Sequence, residues 1–132
     1  MKAMVLAAGL GTRLRPLTDD TPKCLIPLAG HPLMDWTLGW LHDHGVTECM
    51  INLHYLPGKV RDFIGDGSRY GLRVHYSFEP ELLGTAGAVK NVEAFFDRPF
   101  FVIYSDNFSQ WNLRKLVESF ERNHTQATVA VH

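Results

Sequence analysis

A glycine-containing loop that interrupts a buried apolar run constrains this chain more than any other stretch of its sequence. The run Met4–Leu6 has the composition of a buried strand, and the loop that follows it contains Gly9 and Gly11. Glycine lacks a Cβ atom, so the backbone can turn sharply here and bring several N–H groups within reach of a bound group. Inward-pointing N–H groups form a concave anion site, and phosphate is a frequent occupant of such sites.

Two cationic side chains follow on the same loop. Arg13 offers a planar fork that matches phosphate oxygens, and Lys23 offers a compact positive charge. A strand, a glycine turn and two cations together indicate a nucleoside triphosphate site, although a Gly-x-Gly sequence after a strand is also typical of an ordinary tight turn. The loop lacks the Gly-x-x-x-x-Gly-Lys-Ser/Thr sequence of P-loop ATPases, and no third glycine follows at the spacing of dinucleotide-binding proteins. Both of those classes are therefore disfavoured.

The stretch from Leu6 to Lys23, with its continuation to Leu33, resembles the signature of the sugar-phosphate nucleotidyltransferases. That signature combines a Gly-x-Gly-Thr-Arg-Leu-x-Pro-Leu-Thr loop with a Pro-Lys dipeptide, and this chain contains them at residues 9–18 and 22–23. The resemblance implies a Rossmann-like nucleotidyltransferase fold. It further implies an enzyme that uses Mg²⁺ to join an NTP to a sugar 1-phosphate, giving an NDP-sugar and pyrophosphate.

Composition limits the class of protein. The chain has 132 residues, a size typical of one domain, and 45% of them are hydrophobic. Lysines and arginines number 13 against 14 aspartates and glutamates, so the basic excess typical of nucleic-acid-binding proteins is absent. Two cysteines are too few for a disulfide framework and are typical of a reducing compartment. With no signal peptide and no apolar stretch near the ~20 residues that span a membrane, we expect a cytoplasmic protein with no membrane partner.

Three other kinds of residue have simple interpretations. Cys24 follows Lys23, and a nearby lysine lowers a thiol pKa, but a small buried core residue is the favoured interpretation. Trp36 and Trp40 lie four residues apart on a predicted helix, and we expect core packing or a subunit interface there rather than a stacking platform. The seven histidines show no spacing typical of a metal site, so zinc is not expected.

Strand and helix patterns alternate along the chain. Helical periodicity and start signals predict helices over residues 33–45, 57–64, 85–96 and 112–123, the last with an Asn112 N-cap. Apolar or alternating runs predict strands at residues 4–6, 49–53, 72–78, 100–104 and 127–131. This alternation predicts an α/β fold: a three-layer, doubly wound, mostly parallel sheet with helices on both faces. Because such sheets bind ligands outside the carboxyl ends of their strands, the loops after Leu6, Phe78 and Tyr104 should converge on one cleft.

The second of these loops contains a run of small residues, Gly84–Ala88. A tight approach of the helix to the sheet explains such a run, and so does a close approach of Gly84 and Thr85 to a flat nucleobase. The sequence Leu-Gly-Thr-Ala-Gly-Ala at residues 83–88 resembles the base-recognition loop of mannose-1-phosphate guanylyltransferases. That resemblance favours GTP as the nucleotide and mannose 1-phosphate as its partner.

The third loop carries Asp106, directly after an apolar strand. An aspartate in this position is often a helix cap or a turn former, but a carboxylate at a strand end also suits Mg²⁺, which prefers oxygen ligands. The resemblance implies the second role, because the family places a metal-binding aspartate here after a glycine. This chain has Ser105 in place of that glycine.

The resemblance also implies roles for the other groups. Arg13 is expected to hold the β- and γ-phosphates, and Lys23 to bridge the α-phosphate and the incoming sugar phosphate, with Asp106 as the metal ligand. Such chemistry needs in-line positioning and neutralisation of charge rather than a general base. Besides Arg13 and Lys23, the expected nucleotide-binding residues are Leu6, Ala8, Gly9, Gly11, Thr12, Gly84 and Thr85.

Family members continue past the position of His132, so residues 1–132 are expected to be the N-terminal, nucleotide-binding portion of a nucleotidyltransferase domain. The sugar pocket and a second metal-binding aspartate are expected further on, and the chain alone should bind Mg·NTP weakly and turn over little. Three alternatives remain open: a uridylyl-, thymidylyl-, adenylyl- or cytidylyltransferase, a nucleotide-binding module without turnover, and a nicotinamide-dependent dehydrogenase. Association into a homo-oligomer is compatible with each of them.

Overall fold

The computed structural model describes residues 1–131, and His132 lies outside the described residues. Its main sheet has four strands, all parallel, in the order β5-β4-β1-β6. These strands are β1 (Lys2–Leu6), β4 (Glu48–Leu53), β5 (Arg73–Phe78) and β6 (Phe101–Tyr104). A separate two-stranded antiparallel hairpin consists of β2 (Pro27–Leu28) and β3 (His31–Pro32).

Four helices connect or follow the strands: α1 (Leu33–Asp43), α2 (Pro57–Ile64), α3 (Gly84–Asn91) and α4 (Leu113–Asn123). The start of α4 confirms the predicted cap, because the side chain of Asn112 accepts hydrogen bonds from the backbone N–H groups of Arg114 (3.1 Å) and Lys115 (3.3 Å). These bonds satisfy two of the donors that a helix start leaves without intrahelical partners. No helix within residues 1–131 combines the length and the apolar character needed to cross a membrane.

The main core lies on one face of the sheet. That face is formed by Ala3, Val5, Cys49, Ile51, Leu53, Val74 and Phe101, which alternate along the four strands as the strand period requires. Residues of α1 and α2 complete the core, and Leu113 of α4 joins it. Fully buried side chains such as Met34 and Leu38 each contribute roughly 1.5–3 kcal/mol relative to exposure.

Helix α3 lies on the opposite face. Its Ala88 is buried, and its Asn91 donates a hydrogen bond to Ser77 of β5 at 3.1 Å. The ring of His75, which points to the same face, lies 5.1 Å from the ring of Phe95, just after the helix. Helices therefore cover both faces, and the predicted three-layer α/β architecture is confirmed.

The order of the strands reverses at β1. The chain runs from β1 through β4 to β5 on one side, and then crosses to β6 on the other side of β1. The carboxyl ends of β1 and β6 thus flank the place where ligands of doubly wound sheets bind.

Two predicted elements differ from the structure. The helix expected at residues 85–96 ends at Asn91, where Val92 leaves helical geometry (φ −120°, ψ 22°), and a short 3₁₀ turn follows at Glu93–Phe95. The strand expected at residues 127–131 is wrong: this segment pairs with no other strand among residues 1–131, and Val129 and Val131 are each 76% exposed. A β-branched run becomes a strand only when a neighbouring strand accepts and donates its hydrogen bonds.

The β2–β3 hairpin was not predicted. Its two-residue turn places Ala29 (φ 51°) and Gly30 (φ 84°) both at positive φ, the geometry of a type I′ turn. Glycine accepts this conformation readily, whereas alanine does so rarely. Because alanine rarely has a positive φ, Ala29 gave no indication of this turn in the sequence.

Candidate functional site

A cleft of about 290 Å³ lies at the carboxyl ends of the parallel strands. The loops after Leu6, Phe78 and Tyr104 all reach it, so their predicted convergence is confirmed. Its lining consists of Leu6, Ala7, Ala8, Gly9, Lys23, Cys24, Asn52, Glu79, Leu82, Gly84, Thr85, Tyr104, Ser105 and Asp106.

The glycine loop after β1 is held in shape by Thr18. Gly11 has a left-handed conformation (φ 65°), and a Cβ atom added to it would lie 2.8 Å from Cγ2 of Thr18. The buried Thr18 hydroxyl donates a hydrogen bond to the Gly11 carbonyl at 2.7 Å. Gly11 is therefore required by its backbone angle and by its neighbour, while a Cβ atom on Gly9 would meet nothing within 4 Å. The space beside Gly9 belongs to the cleft.

Lys23 and Asp106 form an ion pair at the mouth of the cleft. Nζ of Lys23 donates to Oδ2 of Asp106 at 2.5 Å, and the two side chains are 27% and 34% exposed. Both residues follow strands that are neighbours in the sheet, β1 and β6, so their loops emerge side by side. The site thus places one cation and one carboxylate together where solvent and ligands reach them.

A buried hydrogen-bond network, which we call the relay, joins the side chains of Asn52 and Glu79 to the backbone N–H groups of Ala7 and Leu83 beside the cleft. The carboxyl group of Glu79, only 1% exposed, accepts one bond from Nδ2 of Asn52 (2.9 Å) and another from the backbone N–H of Leu83 (3.1 Å). Oδ1 of Asn52 in turn accepts from the N–H of Ala7 at 2.8 Å. The relay joins the ends of three strands, because Ala7 follows β1, Asn52 lies in β4 and Glu79 follows β5. It therefore fixes the glycine loop relative to the start of α3.

A second contact ties α3 to β6. The hydroxyl groups of Thr85 and Tyr104 lie 3.0 Å apart, within hydrogen-bond distance. The hydroxyl of Ser105 donates to the carbonyl of Leu6 at 2.7 Å, and the Ser105 N–H donates to the same carbonyl at 3.1 Å. These bonds hold the backbone just before Asp106 against the end of β1. The serine that stands in the place of the family's glycine is thus accommodated by its own hydroxyl contact.

The structure brings seven of the ten predicted site residues to the cleft: Leu6, Ala8, Gly9, Lys23, Gly84, Thr85 and Asp106. Gly11, Thr12 and Arg13 are outside its lining. Thr12 and Arg13 begin a 3₁₀ turn that faces solvent. Gly11 lies nearer to the site, because a Cβ atom added to it would be 3.4 Å from Cβ of Lys23. Arg13 is therefore beside the cleft in this structure, and its role stays a prediction.

Sequence reasoning missed Asn52, Glu79 and Tyr104 as parts of the site. A signal was present for the first of them, since Asn52 is a polar residue near the end of an otherwise apolar strand. Glu79 and Tyr104 stand at the ends of strands whose loops were already assigned to the cleft. Glu79 meets Asn52 of β4 and Tyr104 meets Thr85 of α3, and contacts between residues so far apart in the chain were invisible in the sequence.

Cys24 is a core residue, as predicted. It is 2% exposed, and burial raises the pKa of its thiol to about 12 despite the neighbouring lysine. Desolvation penalises the thiolate, so Cys24 is a neutral thiol near pH 7 and an unreactive nucleophile.

The donor set of the cleft suits Mg²⁺ bound in part by a substrate. Within residues 1–131, no three His, Cys, Asp or Glu side chains are grouped so that they can hold a metal ion by themselves. Mg²⁺ is commonly held by only one or two carboxylates together with water and substrate phosphates. The partly exposed carboxylate of Asp106, beside a cleft with space for phosphates, fits that pattern.

A family model described as nucleotidyl transferase matches residues 2–132. The chain belongs to the nucleotidyl transferase family. The N-acetylmuramate alpha-1-phosphate uridylyltransferase of Neisseria meningitidis serogroup B is 47% identical to this family member over 108 residues, which cover 80% of this chain and 47% of the relative. The probable mannose-1-phosphate guanylyltransferase 1 of Oryza sativa subsp. japonica is 36% identical over 137 residues, covering 99% of this chain and 38% of the relative.

The fold of this chain is similar to that of HddC from Yersinia pseudotuberculosis, solved in complex with GMP-PN. The TM-score is 0.78 at 31% sequence identity, and the alignment covers 90% of this chain and 53% of HddC. The chain spans between about a third and a half of the length of the curated relatives that it matches.

Proposed function

We propose that this chain carries the nucleotide site of an enzyme that joins an NTP to a sugar 1-phosphate. In the reaction, a phosphate oxygen of the sugar 1-phosphate bonds to the α-phosphorus of the NTP. The bond from that phosphorus to the bridging oxygen breaks, and pyrophosphate leaves with the electron pair. The observation that carries the proposal is the Lys23–Asp106 pair at the mouth of the cleft, beside the glycine loop.

The pair supplies what this reaction requires. Two anions, the triphosphate and the sugar phosphate, must approach each other, and a lysine between them reduces their repulsion. When phosphate oxygens enter, Nζ of Lys23 has an alternative acceptor and Asp106 is released to a cation. Mg²⁺, when bound by Asp106 and the phosphates, supplies charge neutralisation at the α-phosphate. The backbone of the loop around Gly9 remains open to the phosphates, because no side chain fills that space.

Arg13 completes the proposed phosphate site. Arg13 is exposed on the turn after Gly11, and no hydrogen bond or ion pair with another described residue holds its side chain. A planar fork binds two phosphate oxygens at once, which suits the β- and γ-phosphates of the leaving pyrophosphate.

GTP is the nucleotide we propose, with mannose 1-phosphate as the sugar substrate. The small residues Gly84 and Thr85 line the cleft where a base has to approach the start of α3. The guanylyltransferase of Oryza sativa and the complex of HddC with GMP-PN support a guanine nucleotide. UTP is the second candidate, because the relative from Neisseria meningitidis is a uridylyltransferase.

We also propose where the site lies within its domain and in which compartment the protein acts. Residues 1–132 form the nucleotide-binding portion of the domain, and the sugar pocket lies in the part of the relatives' length that this chain does not match. We place the protein in the cytoplasm, since its two buried cysteines are unpaired.

Two assays test the proposal separately. Equilibrium binding of GTP, UTP, dTTP, ATP and CTP, each with Mg²⁺, tests the nucleotide site, and we expect GTP to bind most tightly. Pyrophosphate release from the same panel with mannose 1-phosphate or N-acetylmuramate 1-phosphate tests the transfer, and it is measured on an extended chain that includes the proposed sugar pocket beside the 132-residue chain. If UTP binds most tightly, the assignment of a guanine nucleotide is wrong, but the proposed nucleotide site stands. Failure of all five to bind overturns the proposed function.

A further inference from the structure

A second cleft, of about 420 Å³, lies between α1 and the segment 108–110. It shares no lining residue with the nucleotide cleft. Its lining consists of His31, Asp35, Trp36, Gly39, Trp40, Asp43, Phe108, Ser109 and Gln110. We name it the aromatic cleft.

The walls of the aromatic cleft are rings held in fixed orientations. The indole N–H of Trp36 donates to the carbonyl of Leu28, and that of Trp40 donates to the carbonyl of Trp111, both at 3.0 Å. The ring of Phe108 meets that of Trp36 edge to face, with centroids 5.9 Å apart. The N–H groups of both indoles are thus bonded to backbone carbonyls, so the indoles contribute the carbon surface of their rings to the lining of the cleft. Trp36 is 39% exposed and is not a core residue, so for it only the subunit-interface half of the prediction remains, whereas Trp40 packs against the core as predicted.

The charge of the lining has one sign. Asp35 and Asp43 are its only formally charged residues at neutral pH, apart from the titratable His31. Oδ1 of Asp35 accepts a hydrogen bond from Tyr70 and lies 3.2 Å from Nη2 of Arg69, so part of its charge is balanced. The side chain of Asp43 is 77% exposed, and its ion-pair contact is a 3.4 Å approach to Nδ1 of His42. The cleft therefore favours a positive ligand.

Gly39 lies in the lining of the aromatic cleft, where its lack of a side chain adds open space. Glycine is less favourable than alanine inside a helix, and here it stands in the middle of α1, between Asp35 and Asp43. Its φ is not positive, and an added Cβ would meet nothing within 4 Å. No contact within the described chain requires a glycine at this position. The missing side chain leaves the floor of the cleft open.

We propose that the aromatic cleft binds a small organic cation that carries an alkylated ammonium group. Such a group is attracted to the negative faces of aromatic rings and to carboxylates, and its methyl groups are compatible with apolar walls. A strongly hydrated inorganic ion gains little from indole rings, and a neutral ligand lacks the charge–charge attraction to Asp43. The open floor at Gly39 gives the methyl groups room.

Choline is a suitable probe, and tryptophan fluorescence is a suitable signal. The chain has three tryptophans, Trp36, Trp40 and Trp111, and all lie at or next to the aromatic cleft. We expect choline chloride to change the emission saturably. Sodium chloride at equal ionic strength and 3,3-dimethylbutan-1-ol, the neutral analogue of choline, should not.

Two variants distinguish binding from a structural effect. Asp43→Asn should weaken choline binding about fivefold, the upper range for an exposed charge contact. Gly39→Ala should weaken it about tenfold by filling the floor, yet raise the melting temperature by roughly 3 °C through its helix propensity. Damage to the fold lowers the melting temperature. Weaker choline binding together with a higher melting temperature therefore indicates a direct effect on the cleft.

Three results overturn the proposal. The first is an equal response to the neutral analogue, and the second is choline binding that is unchanged in both variants. The third is the absence of a saturable choline response; if the emission then also depends on protein concentration, the surface is a contact between copies of the chain. Analytical ultracentrifugation over the same concentrations separates that last case.

Discussion

Nζ of Lys23 lies 2.5 Å from Oδ2 of Asp106, although 83 positions separate the two residues in the chain. The contact exists because β1 and β6 are parallel neighbours, so the loops that leave their carboxyl ends emerge at the same edge of the sheet. Pairs with this degree of exposure contribute at most about 1 kcal/mol to stability. We infer that the pair is placed for ligand binding rather than for folding.

Separating these two roles gives the first prediction. In the complete enzyme, Lys23→Ala and Asp106→Ala should each reduce nucleotidyl transfer by about 10²–10³-fold, while the free energy of unfolding in urea changes by less than about 1 kcal/mol. Lys115→Ala, which removes an exposed lysine from α4, is the matched control and should alter neither quantity. If both site variants retain near wild-type turnover, the assignment of the pair is wrong.

Arg13→Lys should not behave as a conservative change. Lysine preserves the charge but cannot offer two parallel N–H donors to two phosphate oxygens. We expect weaker NTP binding and slower turnover, measured as KM and kcat. Arg15→Lys, two residues along the same loop and paired only with Asp19 at 3.5 Å, serves as the control. Identical kinetics for the two variants would show that Arg13 is an ordinary surface charge.

The two glycines of the loop should respond differently to alanine. Gly11→Ala forces a side chain into a left-handed conformation and against Thr18, which should cost about 1–2 kcal/mol of stability. Gly9→Ala meets no neighbour, so stability should hold while the affinity for Mg·NTP falls. Thermal melting and nucleotide titration of both variants measure this contrast. A Gly9→Ala variant with full affinity would contradict the proposed approach of phosphate to that position.

The buried relay between Asn52 and Glu79 should be strongly coupled. Glu79 accepts hydrogen bonds from Nδ2 of Asn52 and from the N–H of Leu83. In Glu79→Gln, the new amide N–H₂ group faces one of these two donors, so that donor loses its acceptor. A buried polar group without a partner costs about 1–3 kcal/mol. Asn52→Ala removes the acceptor of the Ala7 N–H as well. A double-mutant cycle by urea denaturation should give a coupling energy of about 0.5–3 kcal/mol. Simple additivity would mean that the relay does not act as a unit.

Local sequence patterns were sufficient to predict the layout of the sheet. Apolar runs at residues 4–6 and 49–53 became β1 and β4, and the alternation of helix and strand predicted the parallel order and the cleft. These features depend on periodicity and chain connectivity, which are properties of the sequence itself. The Asn112 cap was predictable for the same reason, since its bonds reach only two and three residues ahead.

The features that escaped prediction depend on distant partners or on unusual backbone angles. The relay through Glu79 joins residues from three strands, and a carboxyl group buried to 1% exposure gives no local signal. The end of α3 at Asn91 and the hairpin turn at Ala29 depend on the backbone angles of Val92 and Ala29, which their residue types do not predict. The valines at residues 127–131 have strand composition but no partner strand within the described residues 1–131, and composition alone does not create a strand.

Binding of Mg·GTP, measured by isothermal titration calorimetry, tests the central claim most directly. Wild-type chain should bind in a Mg²⁺-dependent manner, Lys23→Ala should bind at least about tenfold more weakly, and Lys115→Ala should match wild type. The second-cleft variant Asp43→Asn should also match wild type, which keeps the two clefts distinct. Equal affinity of wild type and Lys23→Ala, or no binding of any Mg·NTP, would contradict the account.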